Sequence, residues 1–123
     1  MDTSFLMIPG MFAVDILNEL DRLLKRRYEL VIPGPVLVEL KEISKRDRSK
    51  EASAAKIALQ LSRRWSVVEE EGKADEIIIK MASRRPCLVG TTDSDLRKNL
   101  RRMSIPVIYL RKKSHLELDG YFW

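Results

Sequence analysis

The sequence predicts an α/β fold, with a mainly parallel sheet and helices on both of its faces. Two features carry that reading. Helix-like and strand-like segments alternate along the chain, and the strand-like runs are continuously apolar, as strands covered on both faces are. A length of 123 residues suits one domain with one core.

The elements follow in order. Ile16, Leu17, Leu20, Leu23 and Leu24 form a helical stripe within a segment from about Met11 to Arg27. Leu30-Val31-Ile32 reads as a strand closed by Pro33-Gly34-Pro35. Val36, Leu37, Leu40 and Ile43 then restart a helix whose first turn suits Pro35. A polar break from Ser44 to Ser49 precedes a helix marked by Ala54, Ala58 and Leu61. Trp65 to Val68 reads as a strand, and Gly72 leads into a helix with Ala74, Ile77, Ile78, Met81 and Ala82 on one face. Cys87-Leu88-Val89 is a strand, Leu96, Leu100 and Met103 mark a helix, and Val107 to Leu110 is the last strand. The first helix should itself follow a strand, yet only Met1 precedes Asp2. The expectation is a single domain over 1–123 whose first strand is missing or truncated before Asp2.

Composition removes several function classes. The longest uncharged apolar stretches fall far short of the ~20 residues that span a bilayer. Met1-Asp2-Thr3 lacks the basic and apolar segments of a secretory signal. A single cysteine, Cys87, excludes an internal disulfide, and with a single histidine, His115, it cannot build a tetrahedral zinc site. A Ser-His-acid hydrolase would hang entirely on His115. The reducing cytoplasm is the expected location. Twenty-three Lys and Arg against 18 Asp and Glu give a net charge of +5. The bases are bunched, as in Lys25-Arg26-Arg27, Arg63-Arg64, Arg84-Arg85, Arg101-Arg102 and Arg111-Lys112-Lys113. Such runs suit either solvated helix ends or a polyanionic partner held by phosphate neutralisation. Composition leaves both open.

Ligands of an open parallel sheet bind beyond the carboxyl ends of its strands. Acids stand in each of those connections: Asp2 where a first strand would end, Glu39 after Leu30-Val31-Ile32, Asp75 after Trp65 to Val68, and Asp93 with Asp95 after Cys87-Leu88-Val89-Gly90. Each has a structural reading of its own. Asp93 suits a helix N-cap, Asp75 and Glu39 complement helix N-termini, and Asp2 could be a terminal residue only. Gathered in one crevice, four carboxylates repel one another, and a hard divalent cation is what usually relieves that. Mg²⁺ and Mn²⁺ take oxygen ligands and keep waters, so carboxylates without histidine suit them. An acid-lined metal site in a basic protein points to phosphodiester chemistry.

Asp2-Thr3-Ser4-Phe5-Leu6, the stretch from Pro35 to Leu40 with its Glu-Leu ending, Ala74-Asp75-Glu76-Ile77 and Thr91-Thr92-Asp93-Ser94-Asp95-Leu96 occur in the order seen in PIN domains. From Asp2 to about Leu118 the chain resembles a PIN-domain nuclease of the VapC toxin type, and also the PIN nucleases that mature ribosomal RNA. The resemblance implies an α/β/α sandwich and Mg²⁺- or Mn²⁺-dependent endonuclease action on RNA. By position it assigns catalysis and metal binding to Asp2, Glu39, Asp75 and Asp93. Asp95 is an auxiliary acid, and Thr3, Ser4, Thr91 and Thr92 are hydroxyls that steady the acids or a metal-bound water. Thr92 stands where the family often has Asn. Glu42, one turn beyond Glu39, reads as a solvated charge. Lys41, Lys45, Arg46, Arg97 and Lys98 are the candidate RNA contacts. The resemblance further implies the toxin of a type II toxin–antitoxin pair, with an antitoxin protein and a second copy of the chain as partners. The alternatives are ribosomal RNA maturation and an RNA-binding PIN module that does not cut. A phosphoacceptor receiver domain shares the fold class, but it needs a lone Asp ending the middle strand, where this chain has Glu69-Glu70-Glu71.

Other groups read more plainly. Tyr121-Phe122-Trp123 is expected to be a hydrophobic lid or subunit contact rather than a base-stacking platform. Cys87 is expected in a buried strand, and His115 at a surface or interface. Met7, Met11 and Phe12 beside Pro9-Gly10 fit a partner surface or core packing equally.

Overall fold

The computed structural model describes residues 1–25, 27–46 and 49–120. Asp2 caps a one-turn helix α1 (Thr3–Leu6), and Pro9 starts α2 (Ile8–Phe12). The stripe expected from about Met11 therefore begins later, at α3 (Ile16–Leu24). Ala13 turns out of α2 with φ 55°, and Asp15 then caps α3 by accepting from the Asn18 N–H. Next come β1 (Val31–Pro33), α4 (Gly34–Ser44), α5 (Lys50–Leu61), a single 3₁₀ turn (Ser62–Arg64), β2 (Ser66–Val68) and α6 (Ala74–Arg84). The chain continues through β3 (Val89–Gly90), α7 (Ser94–Arg102), β4 (Val107–Arg111) and β5 (His115–Asp119).

The strands form two sheets. β1 pairs with β2 in parallel, Ile32 opposite Val67. β3 pairs with β4 in parallel, Val89 opposite Val107, and β5 closes the second sheet as an antiparallel hairpin with β4. The alternating architecture is as the sequence predicts, but Val107 to Leu110 is not the last strand. His115-Leu116-Glu117-Leu118-Asp119 alternates polar and apolar side chains. That is the signature of an edge strand with one face on the core, not of a strand buried on both faces. Its turn is built on Lys112 and Lys113 at φ 54° and 56°, without the Gly or Asn that usually marks a hairpin.

The main core gathers Phe5, Leu6, Ile8, Ile32, Leu40 and Leu116, all buried, and a second cluster packs Ile78, Val89, Leu96, Leu100, Ile105 and Val107. Met7 and Phe12 lie half-buried against the main core, which places them in core packing. α2 lies on α5 through Gly10, where an added Cβ would overlap the backbone and Cβ of Ala54. Ala52, Ala55 and Ala58 are also buried on α5 and permit the close approach. Gly10→Ala should therefore destabilise the protein by about 1–3 kcal/mol, despite the better helix propensity of Ala. A thermal melt unchanged by Gly10→Ala would contradict this packing.

The free edge of β5 is covered by side chains of α3. Glu19 accepts from the Leu116 N–H at 2.9 Å, and Arg22 donates to the Leu116 carbonyl at 2.9 Å. The two side chains also pair at 3.0 Å. They satisfy at one residue the groups that a further strand would pair. The Arg22 hydrogen bond, followed by that of the Leu116 amide, holds the Glu19 carboxyl below its ordinary 4.5. A depressed carboxylate pKa contributes stability that is present above 4.5 and lost as the pH falls through the folded value. Glu19→Gln should thus be less stable than the parent at neutral pH, with the gap narrowing on acidification. A gap that stays constant in denaturant melts across the carboxylate range would count against the link.

Candidate active site

Asp2, Thr91 and Asp93 are brought together where β3 gives way to α7. Thr91 follows β3, is wholly buried, and donates its N–H to the Ile108 carbonyl of β4 at 3.1 Å. Its hydroxyl donates to Asp2 Oδ2 and accepts from the Asp93 N–H at 3.0 Å. One buried oxygen thereby ties two acids that are 91 positions apart in sequence. Asp2 Oδ1 takes bonds from the Phe5 N–H at 3.0 Å and the Ser4 hydroxyl at 2.8 Å. Ser4 in turn accepts from the Thr92 N–H at 3.2 Å. The Asp2 N–H donates to the Gly90 carbonyl at 3.1 Å. Gly90 is where α1 meets β3 most closely, since a Cβ there would stand 2.9 Å from the Phe5 ring. Burial, partly opposed by the neighbouring Asp2 carboxylate, pulls the Met1 ammonium below its usual 8.0.

Glu39 joins from α4, where Thr3 donates to its Oε2 at 2.8 Å. Asp93 also caps α7, with Oδ1 accepting from the Asp95 and Leu96 N–H groups at 2.9 and 3.2 Å. The capping role and the rim position are therefore one and the same. Among the described residues, Asp93 Oδ2 and Glu39 Oε1 take no bond from the protein and are free to act as ligands. Thr3, Ser4 and Thr91 use their hydroxyls on the acids, while Thr92 contributes its main chain.

Asp75 stands in the first turn of α6, exposed, with Oδ1 turned to the Glu76 N–H at 3.0 Å. Among the described residues no side-chain bond ties it to the other acids, so the network joins Asp2, Glu39 and Asp93 and leaves Asp75 outside. Asp95 is exposed beside Asp93. Among the described residues, no three acidic, histidine or cysteine side chains lie close enough to hold one ion directly. The donor set nonetheless fits a hard cation in kind. It is all oxygen, has ligand atoms to spare, and leaves waters to complete the coordination of Mg²⁺.

Lys41, Lys45, Arg46 and Lys98 are exposed. Arg97 is occupied: its Nε donates to Asp119 Oδ2 at 2.9 Å, and its guanidinium lies 3.5 Å from the Tyr109 ring centre. Arg101 shares Asp119 at 3.2 Å. The clamp of Tyr109 and Asp119 on α7 was not readable from the sequence, because β5, which carries Asp119, was not. His115 lies on β5, its two ring nitrogens facing Ser114 and Glu117 at 2.9 and 3.1 Å. That hydrogen bond from His115, ahead of Arg111, draws the Glu117 carboxyl below its usual range. Cys87 is half-buried just before β3, and burial pushes its thiol up. Tyr121-Phe122-Trp123 lie outside the described residues. Among the described residues, no helix is long and apolar enough to cross a membrane.

Fold and rim together define a class: an α/β chain whose acids and hydroxyls meet where strands hand over to helices. The model of the family described as a PIN like domain matches residues 1–113, and the chain belongs to that family. It is similar to a protein named Ribonuclease VapC4 from Methanocaldococcus jannaschii, at 32% identity over 123 residues, covering 97% of this chain and 94% of that one. It is likewise similar to Ribonuclease VapC9 from Archaeoglobus fulgidus, at 31% identity over 118 residues, covering 96% and 86%. The solved PIN domain endonuclease Utp24 shares the fold with a TM-score of 0.76, at 21% identity and covering 98% of this chain and 90% of that one.

Proposed function

We propose that the chain is a Mg²⁺- or Mn²⁺-dependent endoribonuclease acting as the toxin of a type II toxin–antitoxin pair. The observation that carries this reading is the acidic rim, in which buried Thr3 and Thr91 and half-exposed Ser4 orient Asp2, Asp93 and Glu39. Support comes also from two relatives named as ribonucleases that match nearly the whole chain. Asp2, Glu39 and Asp93 would hold the cation, in part through its bound waters, with Asp75 and Asp95 completing the negative field. Such a cation supplies Lewis acidity to the scissile phosphate and lowers the pKa of a water. The chain's own task is to keep the carboxylates oriented. Ser4 and Thr91 hold the two oxygens of Asp2, Thr3 holds one oxygen of Glu39, and main-chain N–H groups hold one oxygen of Asp93, which leaves Glu39 Oε1 and Asp93 Oδ2 open. Exposed Lys41, Lys45, Arg46 and Lys98 neutralise backbone phosphates of the bound strand. Arg97 is spent on Asp119 and Tyr109 and positions α7 instead. An antitoxin partner, a homodimer and a cytoplasmic location belong to the same reading.

Expression of the parent chain should arrest growth and leave mappable cuts in cellular RNA, whereas Asp93→Asn should do neither. Arrest of equal strength by both forms would refute the proposal.

A further inference from the structure

The outer edge of β5 is bonded to Glu19 and Arg22, but the outer edge of β2 has no such cover. β1 is its one neighbour, and among the described residues no side chain bonds to its main chain. The Ser66 N–H donates to the Leu30 carbonyl of the chain entering β1, at 3.1 Å. Alternate residues of a parallel strand turn to alternate sides, so Val67 directs its own N–H and C=O away from β1. Ser66 and Val67 are both exposed. An edge that stays single usually carries a charge, a proline or a bulge within the strand. Ser66-Val67-Val68 has none of these, and its charges stand at its two ends. Arg63-Arg64 come before it and Glu69-Glu70-Glu71 after it. Val67 also lines a shallow depression with Leu37 and Val38 of α4. Val38 is 58% exposed and Val67 36%, two of the four large apolar side chains left open among the described residues.

We propose that the outer edge of β2 pairs antiparallel with the same edge of a second copy of this chain, about a two-fold axis at Val67. Val67 of each copy exchanges both main-chain hydrogen bonds with its counterpart, and two two-stranded sheets become one of four strands. The occupant follows from the order of charges. Basic, apolar, acidic is its own complement when reversed, so Arg63-Arg64 of each copy meet Glu69-Glu70-Glu71 of the other. A parallel pairing would set like charges side by side. Residues directly opposite share a face of the sheet, so both Val67 side chains and both α4 depressions meet in one apolar seam. This gives the homodimer of the preceding reading a surface, but it needs none of that reading's chemistry.

Sedimentation equilibrium of the full chain at low salt, over a range of concentrations, tests the contact. The parent should dimerise reversibly. Arg63→Glu with Arg64→Glu sets acid against acid at both ends and should weaken dimerisation roughly tenfold or more. Adding Glu69→Arg and Glu71→Arg reverses the whole order and should restore most of the affinity. Glu70 stays in place because it pairs with Arg84 at 3.3 Å. All four altered positions are exposed, so thermal melts should change little. Val67→Lys opposes two ammonium groups on the axis and should also weaken the dimer roughly tenfold. A parent that stays monomeric would overturn the proposal. So would a dimer indifferent to Val67→Lys, or a loss in the Arg→Glu form that the reversed form does not recover. No RNA enters the measurement, so a failed contact leaves the endoribonuclease reading standing, and a failed nuclease leaves the contact.

Discussion

Asp93→Asn is expected to cut RNA cleavage by at least ~10²-fold while the protein stays folded. The substitution separates two duties of one side chain. As the N-cap of α7, Asp93 needs only an oxygen that accepts from the Asp95 and Leu96 N–H groups, and Asn caps about as well as Asp. As a rim acid it needs a charge and a free oxygen, both of which Asn removes. A thermal melt within a degree or two of the parent (~0.5 kcal/mol or less) should therefore accompany the lost activity. Asp93→Ala makes the contrast, because it should lose activity and about 1 kcal/mol of stability together. Cleavage of a labelled RNA, read beside the melt, checks both halves.

Thr91→Val is expected to be costly in both respects. The replacement keeps the shape but removes the one buried hydroxyl that holds Asp2 and the Asp93 main chain. An acceptor and a donor are then left without their partner in a half-buried place, at a cost of about 1–3 kcal/mol. Cleavage should fall as well, because Asp2 and Asp93 lose the atom that fixes their separation. Thr91→Ser retains the hydroxyl and should recover most of the activity. A Val variant as stable and as active as the parent would show that Thr91 merely fills space.

Asp75 and Asp93 were legible because each follows an apolar run and opens a helix, whereas Asp2 has only Met1 before it and Glu39 lies in the second turn of α4. How they are held was less so. The Thr3–Glu39 bond spans 36 positions, and nothing local to either residue signals the other. The resemblance marked Thr3, Ser4, Thr91 and Thr92 as steadying hydroxyls. It could not show that Thr91 is buried and doubly bonded while Thr92 works through its main chain. Asp75 follows the same strand-to-helix pattern, yet its side chain turns into its own helix, a rotamer choice that spacing does not encode. β5 escaped for a different reason. Its alternation is that of a half-covered edge, and its turn uses two lysines in the left-handed region where glycine or asparagine is the usual signal. The break between α2 and α3 is marked in sequence by Asp15, but the apolar residues Met11, Phe12, Val14, Ile16 and Leu17 run on across it. The bases show the reverse limit. Arg97 and Lys98 are neighbours in sequence, yet only Lys98 faces solvent freely, because β4 and β5 capture Arg97.

RNA cleavage in excess EDTA, followed by Mg²⁺ add-back, tests most directly whether the rim works through a divalent cation. Cleavage should cease with the chelator and return with Mg²⁺ in the parent chain, but not in Asp93→Asn. Undiminished cleavage in excess EDTA, or full recovery by the Asp93→Asn variant, would contradict the account.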